Sequence, residues 1–550
     1  MELPDIADAE LETLAKVVSK ELSTHNRLLP HRHDYATLLG HVDEIARLVK
    51  GLSARRSTEP VRGDVVFARK GWRGSRPLTV MALRDAVAYR FLCDRLAEQL
   101  PGHIQIRQAS SDFKRSLIAE DDVAYIAVTD VTAYYEFVDH GLLGDELVAQ
   151  TGDEPVVNQL LSVVRGVMGR DLGLPQIHDA SDILGDTYID PVRRQLRRRG
   201  FKTLTYSDDF RIGAGTLRDA QRALEVCARE MRALGLVQNE RKTFTWSKSK
   251  YEVDLDSFAT RERELFEGVE ELEDFWVDEY GKDDDEINEK GDEATSLAAN
   301  PLDGGIDESD VDPKEQGTAP IPDYVVTPSL LAAADRALET WLREAEDYDT
   351  QSQKDAVITQ SLLGRALPIL GAGGSLAPLS SAVPILTFEP ALTPQFASYL
   401  LQYSKGDRER TKEVRAVLDQ IVTDAVLSDW QEIWIAYVAG HLRGSRASRP
   451  HVKWLHRAVM SAPDAVAAHA AAALGNIGRV DPEVLVAGVG RIGPVWRSLA
   501  LWGLARISAQ LAEEVADGGI EHILVGHLVN DGPPIAPPRR LARRLLGEGS

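Results

Sequence analysis

Three aspartates stand in sequence contexts where carboxylates can do chemistry. Asp130 ends the apolar run VAYIAVTD, so its side chain is expected at the end of a buried strand. Asp208 and Asp209 lie between two β-favouring runs in TLTYSDDFRIG, which predicts a tight hairpin with its turn at Ser207 and Asp208. If the hairpin tip lies beside the strand end, three carboxylates share one small space and raise one another's pKa values.

Such a cluster becomes favourable when divalent cations neutralise its charge. Oxygen ligands without a nearby histidine or cysteine select Mg²⁺ or Mn²⁺ as the cofactor. A pair of such ions can activate a 3′-hydroxyl and stabilise a departing pyrophosphate. The alternative is that the adjacent acids form a solvated turn, since aspartate is a common turn former.

The segments that carry these acids differ in type from the rest of the chain. Residues 1–60 have helical apolar spacing, whereas residues 61–260 alternate short β-rich runs with helical stretches, which predicts an α+β domain. Residues 261–318 are predicted to form a largely disordered acidic linker. Residues 319–550 are rich in alanine and leucine and predict a C-terminal helical domain.

A degenerate repeat runs through the C-terminal part. Its helical segments recur with a period of about 28 residues, counted from Gly475 to Gly503, with prolines between them. This spacing favours stacked helix pairs of the HEAT type, and an irregular helical domain is the alternative.

Composition bounds the class of protein. The chain has 550 residues and a net charge of −23, and residues 262–315 alone hold 22 acidic against four basic residues. The low pI therefore reflects one segment and does not exclude a polyanionic substrate. There are two cysteines, no apolar run near the roughly 18 residues of a membrane span, and no apolar leader, which together predict a cytoplasmic protein without membrane contact.

Four segments resemble the conserved motifs of reverse transcriptases, in the family's order. DVTAYYEFVDHGLL (130–143) resembles motif A, and GLPQIHDASDILGDTYIDPV (173–192) resembles motif B. YSDDF (206–210) resembles motif C, and LGLVQNERKT (234–243) resembles motif D. The resemblance implies a right-hand palm with fingers, followed here by the all-α, HEAT-like domain.

The family's residue roles carry over to the matching positions. Asp130, Asp208 and Asp209 would be catalytic and hold the metal ions. Tyr135 would lie under the incoming sugar and exclude a 2′-hydroxyl, with core packing as the alternative. Gln176 would contact the nucleotide or the template strand.

Cations are expected around the triphosphate. Lys242 resembles the family's lysine near the β- and γ-phosphates. In the expected fingers, several cations lie in or directly before the segment GWRGSRPLTVMALRDA. Arg76 and Arg84 are the preferred pair to bind the triphosphate. The alternative for each is a solvated position on the surface. The others are Lys70 and Arg73.

The sequence departs from the family at two places. Ile177 stands where motif B usually has a glycine, which suggests altered template handling. The thumb signature is not recognisable, and the acidic segment and helical repeats follow instead.

A palm joined to a helical-repeat domain resembles the abortive-infection and unknown-group defence reverse transcriptases of bacteria. The resemblance implies an antiphage DNA polymerase that uses dNTPs, makes a DNA product and assembles as a homo-oligomer. Some of these enzymes work without a template from a protein tyrosine. Primer candidates here are Tyr348, Tyr399, Tyr403 and Tyr437, each with packing in the repeats as its alternative.

Two other functions stay open. One is an RNA-templated reverse transcriptase with an associated RNA, and the other is an inactive nucleic-acid or phage-protein sensor. A further hypothesis is that the acidic segment competes with nucleic acid for a basic cleft.

Overall fold

The computed structural model describes residues 10–53, 59–70, 74–105, 110–265, 326–346 and 353–530, except positions 25, 443 and 479. The protein is a mixed α+β structure that is mostly helical and has a C-terminal helical region. The predicted acidic linker lies outside the described residues beyond Leu265, and so does Tyr348.

The chain begins with helices and a β-hairpin. The elements are α1 (Leu11–Ser23), α2 (His33–Leu38), α3 (Val42–Ser53), β1 (Asp64–Lys70), β2 (Gly74–Val80) and α4 (Leu83–Ala97). Helix α1 buries Leu14, Val17, Val18 and Leu22, the helical spacing that the sequence predicts for this segment. Strands β1 and β2 pair antiparallel as a two-stranded sheet.

A four-stranded sheet forms the centre of the next part. The elements are α5 (Gly102–Gln105), α6 (Ser110–Arg115), β3 (Tyr125–Asp130), α7 (His140–Thr151), α8 (Glu154–Met168), α9 (Asp179–Arg198), β4 (Lys202–Tyr206), β5 (Asp209–Ala214), α10 (Leu217–Ala233), β6 (Phe244–Ser247) and α11 (Lys248–Leu265). The strand order is β4-β5-β3-β6, with every neighbouring pair antiparallel. Strand β3 is therefore internal, which suits its apolar sequence.

The two faces of this sheet are covered differently. Ala127, Phe210 and Ile212 belong to the large apolar core that α8, α9 and α10 complete. Ile126 on the opposite face packs in a smaller cluster with Tyr251 of α11. Since alternate residues of a strand point to opposite faces, both faces of β3 are buried and its end is held firmly.

The predicted hairpin is confirmed. Strands β4 and β5 pair with Tyr206 opposite Asp209, so Ser207 and Asp208 form a two-residue turn. Ser207 has φ +49°, the left-handed conformation that two-residue hairpin turns require.

The C-terminal region consists of helices throughout its described part. They are α12 (Pro328–Glu346), α13 (Gln353–Ala372), α14 (Ala377–Ser380), α15 (Ala382–Phe388), α16 (Thr393–Ser404), α17 (Arg408–Asp424), α18 (Asp429–His441), α19 (Pro450–Ser461), α20 (Asp464–Ile477), α21 (Pro482–Arg491), α22 (Arg497–Ala505), α23 (Ala509–Val515) and α24 (Gly519–Asn530). Helix α20 lies between α18 and α22. Its run of alanines is buried, which lets both neighbours approach closely.

The N-terminal helices share their core with this C-terminal region. Leu14 and Val18 of α1 belong to the same apolar cluster as Trp430 and Trp502. Polar contacts reinforce the packing, because the Trp502 indole N–H donates to the Thr37 hydroxyl at 3.1 Å. No helix within the described ranges combines the length and the apolar character needed to cross a bilayer.

The two glycines that mark the 28-residue period meet at one helix crossing. A Cβ built on Gly475 of α20 would lie 2.3 Å from the carbonyl oxygen of Gly503 in α22. The backbones therefore touch, and no larger residue fits without moving a helix.

We expect Gly475→Ala to lower the free energy of unfolding by about 3 kcal/mol, because overpacking displaces the helices. Gly490→Ala is the matched control, since a Cβ on Gly490 in α21 meets nothing within 4 Å. That variant should gain about 0.5–1 kcal/mol from helix propensity. Urea unfolding of both variants measures the difference, and equal effects would contradict the close crossing.

Candidate active site

The fold brings the three predicted aspartates to one end of the central sheet. Asp130 at the end of β3 stands directly opposite Asp209 at the start of β5. Asp208 is adjacent, and the backbone N–H of Val131 donates to its carbonyl oxygen at 3.2 Å. The three residues are therefore neighbours along the backbone at one sheet end, as expected from the sequence, and their catalytic role stays a prediction.

Asp130 is buried and held by the motif D segment. Its Oδ2 lies 2.6 Å from Lys242 Nζ, and its Oδ1 accepts from the Asn239 side-chain amide at 3.3 Å. The Asn239 backbone N–H also donates to the Asp130 carbonyl oxygen at 2.8 Å. These bonds fasten two chain segments that are more than 100 residues apart.

Lys242 stays charged in this setting. Partial burial acts to lower its pKa, but the hydrogen bond and charge of Asp130, together with Asp209 and Asp208, raise the pKa above the usual lysine value. The lysine therefore carries a positive charge at the carboxylates at neutral pH.

The other two carboxylates have unequal surroundings. Asp209 lies 3.4 Å from the Arg211 guanidinium, which is itself held by the Tyr251 hydroxyl at 3.0 Å. Burial, then the charges of Asp130 and Asp209, raise the pKa of Asp208 to about 7. Among the described residues no cation lies within ion-pair distance of Asp208.

This imbalance fits a site for a divalent cation. Three carboxylates supply hard oxygen donors, and burial together with the charges of Asp130 and Asp209 opposes ionisation of Asp208. In the part of the chain that is described, however, no three His, Cys, Asp or Glu side chains already converge as a ligand set. The Lys242 ammonium provides the positive charge at Asp130 instead.

Tyr135 lies at the edge of the site and not in the core. Its neighbour Tyr134 is the buried ring, 2% exposed, whereas Tyr135 is only partly buried. The Tyr135 hydroxyl donates to Asp182 Oδ1 of α9 at 2.6 Å and lies 3.4 Å from Ser207 Oγ. The ring is thus joined to both the motif B helix and the hairpin turn.

Gln176 and Ile177 lie in the loop before α9. The Gln176 side-chain amide donates to Glu136 Oε1 at 3.1 Å, so it is tied to motif A. Ile177 has φ +55° and packs against the core shared by the N-terminal and C-terminal helices. Both residues line a cavity of about 330 Å³ that also borders Arg90 and Trp496.

The β1–β2 hairpin brings two cations to the site. Arg76 stands opposite Ala68, so Lys70, two residues further along β1, shares its face. Desolvation and the charges of Arg76 and Lys242 lower the pKa of Lys70, while Asp130 and Asp208 act in the opposite direction. Desolvation also lowers the pKa of Arg76, against the charge of Asp208.

Arg84 has different surroundings from those expected. Its guanidinium lies 2.7 Å from Asp85 and donates to the Glu59 carbonyl oxygen at 2.8 Å. Lys70, and not Arg84, is therefore the second cation beside Arg76 whose charge interacts with the carboxylates. Arg84 instead anchors the start of α4. Lys70 could have been predicted from the sequence if the register of the hairpin had been considered. Residues two apart on a strand share a face, which places Lys70 on the same face as Arg76. Arg73 lies outside the described residues.

The described tyrosine candidates for priming are buried in the helical region. Tyr399, Tyr403 and Tyr437 are each at most 6% exposed. The Tyr399 hydroxyl donates to the Ser375 carbonyl oxygen at 2.9 Å, and the Tyr403 hydroxyl donates to Glu413 at 2.6 Å. These three tyrosines are therefore packed within the helical region.

Three non-glycine residues have positive φ in the described chain, and each lies in a different motif. They are Ala133 at +49°, Ile177 at +55° and Ser207 at +49°. Left-handed backbone is costly for residues with a Cβ and accumulates at functional sites. The segments that resemble motifs A, B and C therefore each contain one strained residue.

Replacing Ala133 with glycine should relieve part of this strain. Ala133 is exposed, so Ala133→Gly loses little packing and should raise the free energy of unfolding by about 1 kcal/mol. Ala149→Gly, at an exposed position within α7, should lower it by about 1 kcal/mol. Thermal or urea unfolding measures both changes. If Ala133→Gly and Ala149→Gly lower the free energy of unfolding equally, the backbone at Ala133 is not strained.

The raised pKa of Asp208 predicts a pH-dependent cost of folding. A folded-state pKa of about 7 against an ordinary 3.8 means that stability present at acidic pH is lost as pH rises through 7. With divalent ions removed by a chelator, the free energy of unfolding of Asp208→Asn should equal that of wild type near pH 4. Near pH 8 it should be higher than that of wild type, by a few kcal/mol at most. Asp121→Asn, at an exposed position, is the control. If the difference in free energy of unfolding from wild type does not change with pH for either variant, the prediction is wrong.

Comparison with known proteins leaves the family open. No family model matches the chain, and neither does any curated protein. Among solved structures, apo telomerase from Candida Tropicalis is similar at 11% identity, over 71% of this chain and 73% of that chain, with a TM-score of 0.28. A likeness this distant carries no argument, so a functional assignment depends on the site itself.

Proposed function

We propose that this protein is a nucleotidyltransferase of the reverse-transcriptase type, which adds deoxynucleotides from dNTPs to a hydroxyl primer. The observation that carries the proposal is the meeting of Asp130 with Asp208 and Asp209 at one sheet end. In the reaction the primer oxygen bonds to the α-phosphorus, the bond to the bridging oxygen breaks, and pyrophosphate leaves with that oxygen. Charge therefore shifts toward the pyrophosphate and must be stabilised there.

The carboxylates would hold the cofactor Mg²⁺ or Mn²⁺. When bound, such an ion lowers the pKa of a hydroxyl and stabilises charge on phosphate oxygens. Asp208 supports this assignment, because a cation would offset the burial and the repulsion from Asp130 and Asp209 that raise its pKa. Lys242 would then release Asp130 and contact a phosphate oxygen instead.

Besides Arg211, which is held by Tyr251, three cations near the carboxylates have positions that suit a triphosphate. Lys242 keeps its proton in the protein and can donate it to the departing pyrophosphate. Desolvation opposes the charges of Lys70 and Arg76, and an anionic ligand would compensate that cost. Tyr135 lies beside the hairpin turn, where it would face the sugar of the nucleotide.

The site does not decide between untemplated and RNA-templated synthesis. A specific observation favours unusual template handling, since Ile177 ties the motif B loop to the core of the helical regions. The same observation supports the alternative of an inactive sensor, in which the palm reports to the C-terminal helices. Three clustered carboxylates weigh against that alternative, because their mutual repulsion lowers stability and an inactive protein would gain nothing in return.

The biological setting is also part of the proposal. The arrangement of an α+β domain before a helical region supports a role in antiphage defence in the cytoplasm. The C-terminal helices would form HEAT-like repeats and a surface for homo-oligomer assembly. The partners would be dNTPs and a DNA product, with RNA in the templated case.

Purified protein incubated with labelled dNTPs and Mg²⁺ or Mn²⁺ should form labelled polymer. Asp208→Asn/Asp209→Asn should lose at least about a hundredfold in rate, because both changes remove metal-binding and transition-state charge. Asp121→Asn, an exposed substitution away from the sheet end, should retain wild-type activity. If wild type incorporates no more label than the double variant, the proposed enzyme activity is wrong.

Two treatments separate the remaining alternatives. Polymer that still forms after ribonuclease treatment and RNA removal favours untemplated synthesis, and its loss favours a bound RNA template. Product that stays with the protein until protease digestion indicates protein priming.

A further inference from the structure

One face of α9 joins the segments that form the candidate site. The hydroxyl groups of Ser181 and Tyr89 lie 2.8 Å apart, and Asp182 accepts from the Tyr135 hydroxyl. One turn further, Asp186 Oδ1 accepts from the backbone N–H of Ser207 at 3.2 Å. The helix therefore holds both the motif A ring and the turn that presents Asp208.

The Tyr135 ring is confined on several sides. The hydroxyl is fixed between Asp182 Oδ1 at 2.6 Å and Ser207 Oγ at 3.4 Å. The Tyr134 ring packs against it edge-on, with centroids 5.3 Å apart. Behind it, a Cβ on Gly185 would lie 3.5 Å from Tyr135 Cε1 and 3.2 Å from Tyr134 Cε1, so the helix surface already touches both rings.

The bond from Tyr135 to Asp182 is of the stronger kind. A phenol that donates to a carboxylate makes a charge-assisted hydrogen bond, and 2.6 Å is within the short range of such bonds. Rotating or shifting the ring away from the site breaks this bond and leaves the carboxylate without that donor. The ring position therefore resists displacement by a ligand.

We propose that Asp182 is a positioning residue for sugar selection, which holds the Tyr135 ring so that it excludes a 2′-hydroxyl. The inference rests on the proposed function. Steric exclusion discriminates only when the excluding group cannot yield, since a movable ring would shift to admit a ribose. Asp182 would thus set selectivity without touching the nucleotide.

The charge of Asp182 gives a second reason for a dedicated role. The site already contains the carboxylates of Asp208 and Asp186 near the same rings, and their charges help to raise the pKa of Tyr134. A further carboxylate beside a site for a polyphosphate repels the substrate, so its presence there calls for a separate role. Accepting the hydrogen bond from the Tyr135 hydroxyl is such a role.

The test compares kcat/KM for dATP with that for ATP in wild type and four variants. Tyr135→Phe and Asp182→Ala each remove the bond, so each should lower the dATP-to-ATP ratio by about tenfold, mainly by raising ATP incorporation. The double variant should fall no further, because both changes remove the same interaction. Asp182→Asn keeps an acceptor oxygen and should stay near the wild-type ratio.

Arg198→Ala is the matched control on the same helix, at an exposed position in its last turn. It should leave the ratio unchanged, which separates a general effect on α9 from the loss of the Tyr135 contact. A ratio that is unchanged in both Tyr135→Phe and Asp182→Ala, or losses that add in the double variant, would overturn the inference while wild type remains active.

A binding measurement distinguishes this inference from the proposed function. If wild type incorporates neither nucleotide, the proposed polymerase activity fails. Thermal shift with dATP and with ATP then reports selectivity directly, both for an inactive wild type and for variants that lose incorporation. A preference for dATP in wild type that disappears in Asp182→Ala supports the inference, and a preference that persists, or is absent in wild type, overturns it.

Discussion

Repulsion among three carboxylates at one sheet end is the constraint to which the surrounding structure responds. Asp130 would be unstable as a buried anion, but Lys242 and Asn239 bind its two oxygens. Arg211 does the same for Asp209 from within the sheet. At Asp208 the charge of Lys242 and a backbone hydrogen bond compensate only in part, so burial and the charges of Asp130 and Asp209 still raise its pKa to about 7.

Three loops in this part of the chain also contain strained backbone. A short loop that must present a side chain at a fixed point has few backbone conformations available, and at three positions here it adopts φ > 0 without glycine. Such conformations persist only when neighbouring structure holds them. Helix α9 provides this support for the hairpin turn, through the bond from the Ser207 N–H to Asp186.

Local patterns were enough to predict the hairpin and the strand end. Alternation and turn chemistry act over a few residues, so Asp130, Asp208 and Asp209 could be placed before the structure was known. Contacts between distant segments left no such pattern. The placement of Lys70 instead of Arg84 depends on strand register, and the bond from Tyr135 to Asp182 depends on how α9 packs. The shared core of the N-terminal and C-terminal helices likewise joins residues that are hundreds of positions apart.

Ile177 combines an unfavourable backbone conformation with packing against a distant part of the chain. Glycine reaches a left-handed backbone freely, so a loop with glycine can also leave that conformation easily. Isoleucine adopts its φ of +55° at an energetic cost, and its side chain packs against the core shared by the N-terminal and C-terminal helices. The motif B loop is then fixed by the helical regions and does not adapt to a ligand by itself. Any movement of those helices would therefore act on the loop that carries Gln176 and, through its bond to Glu136, on the segment before α7.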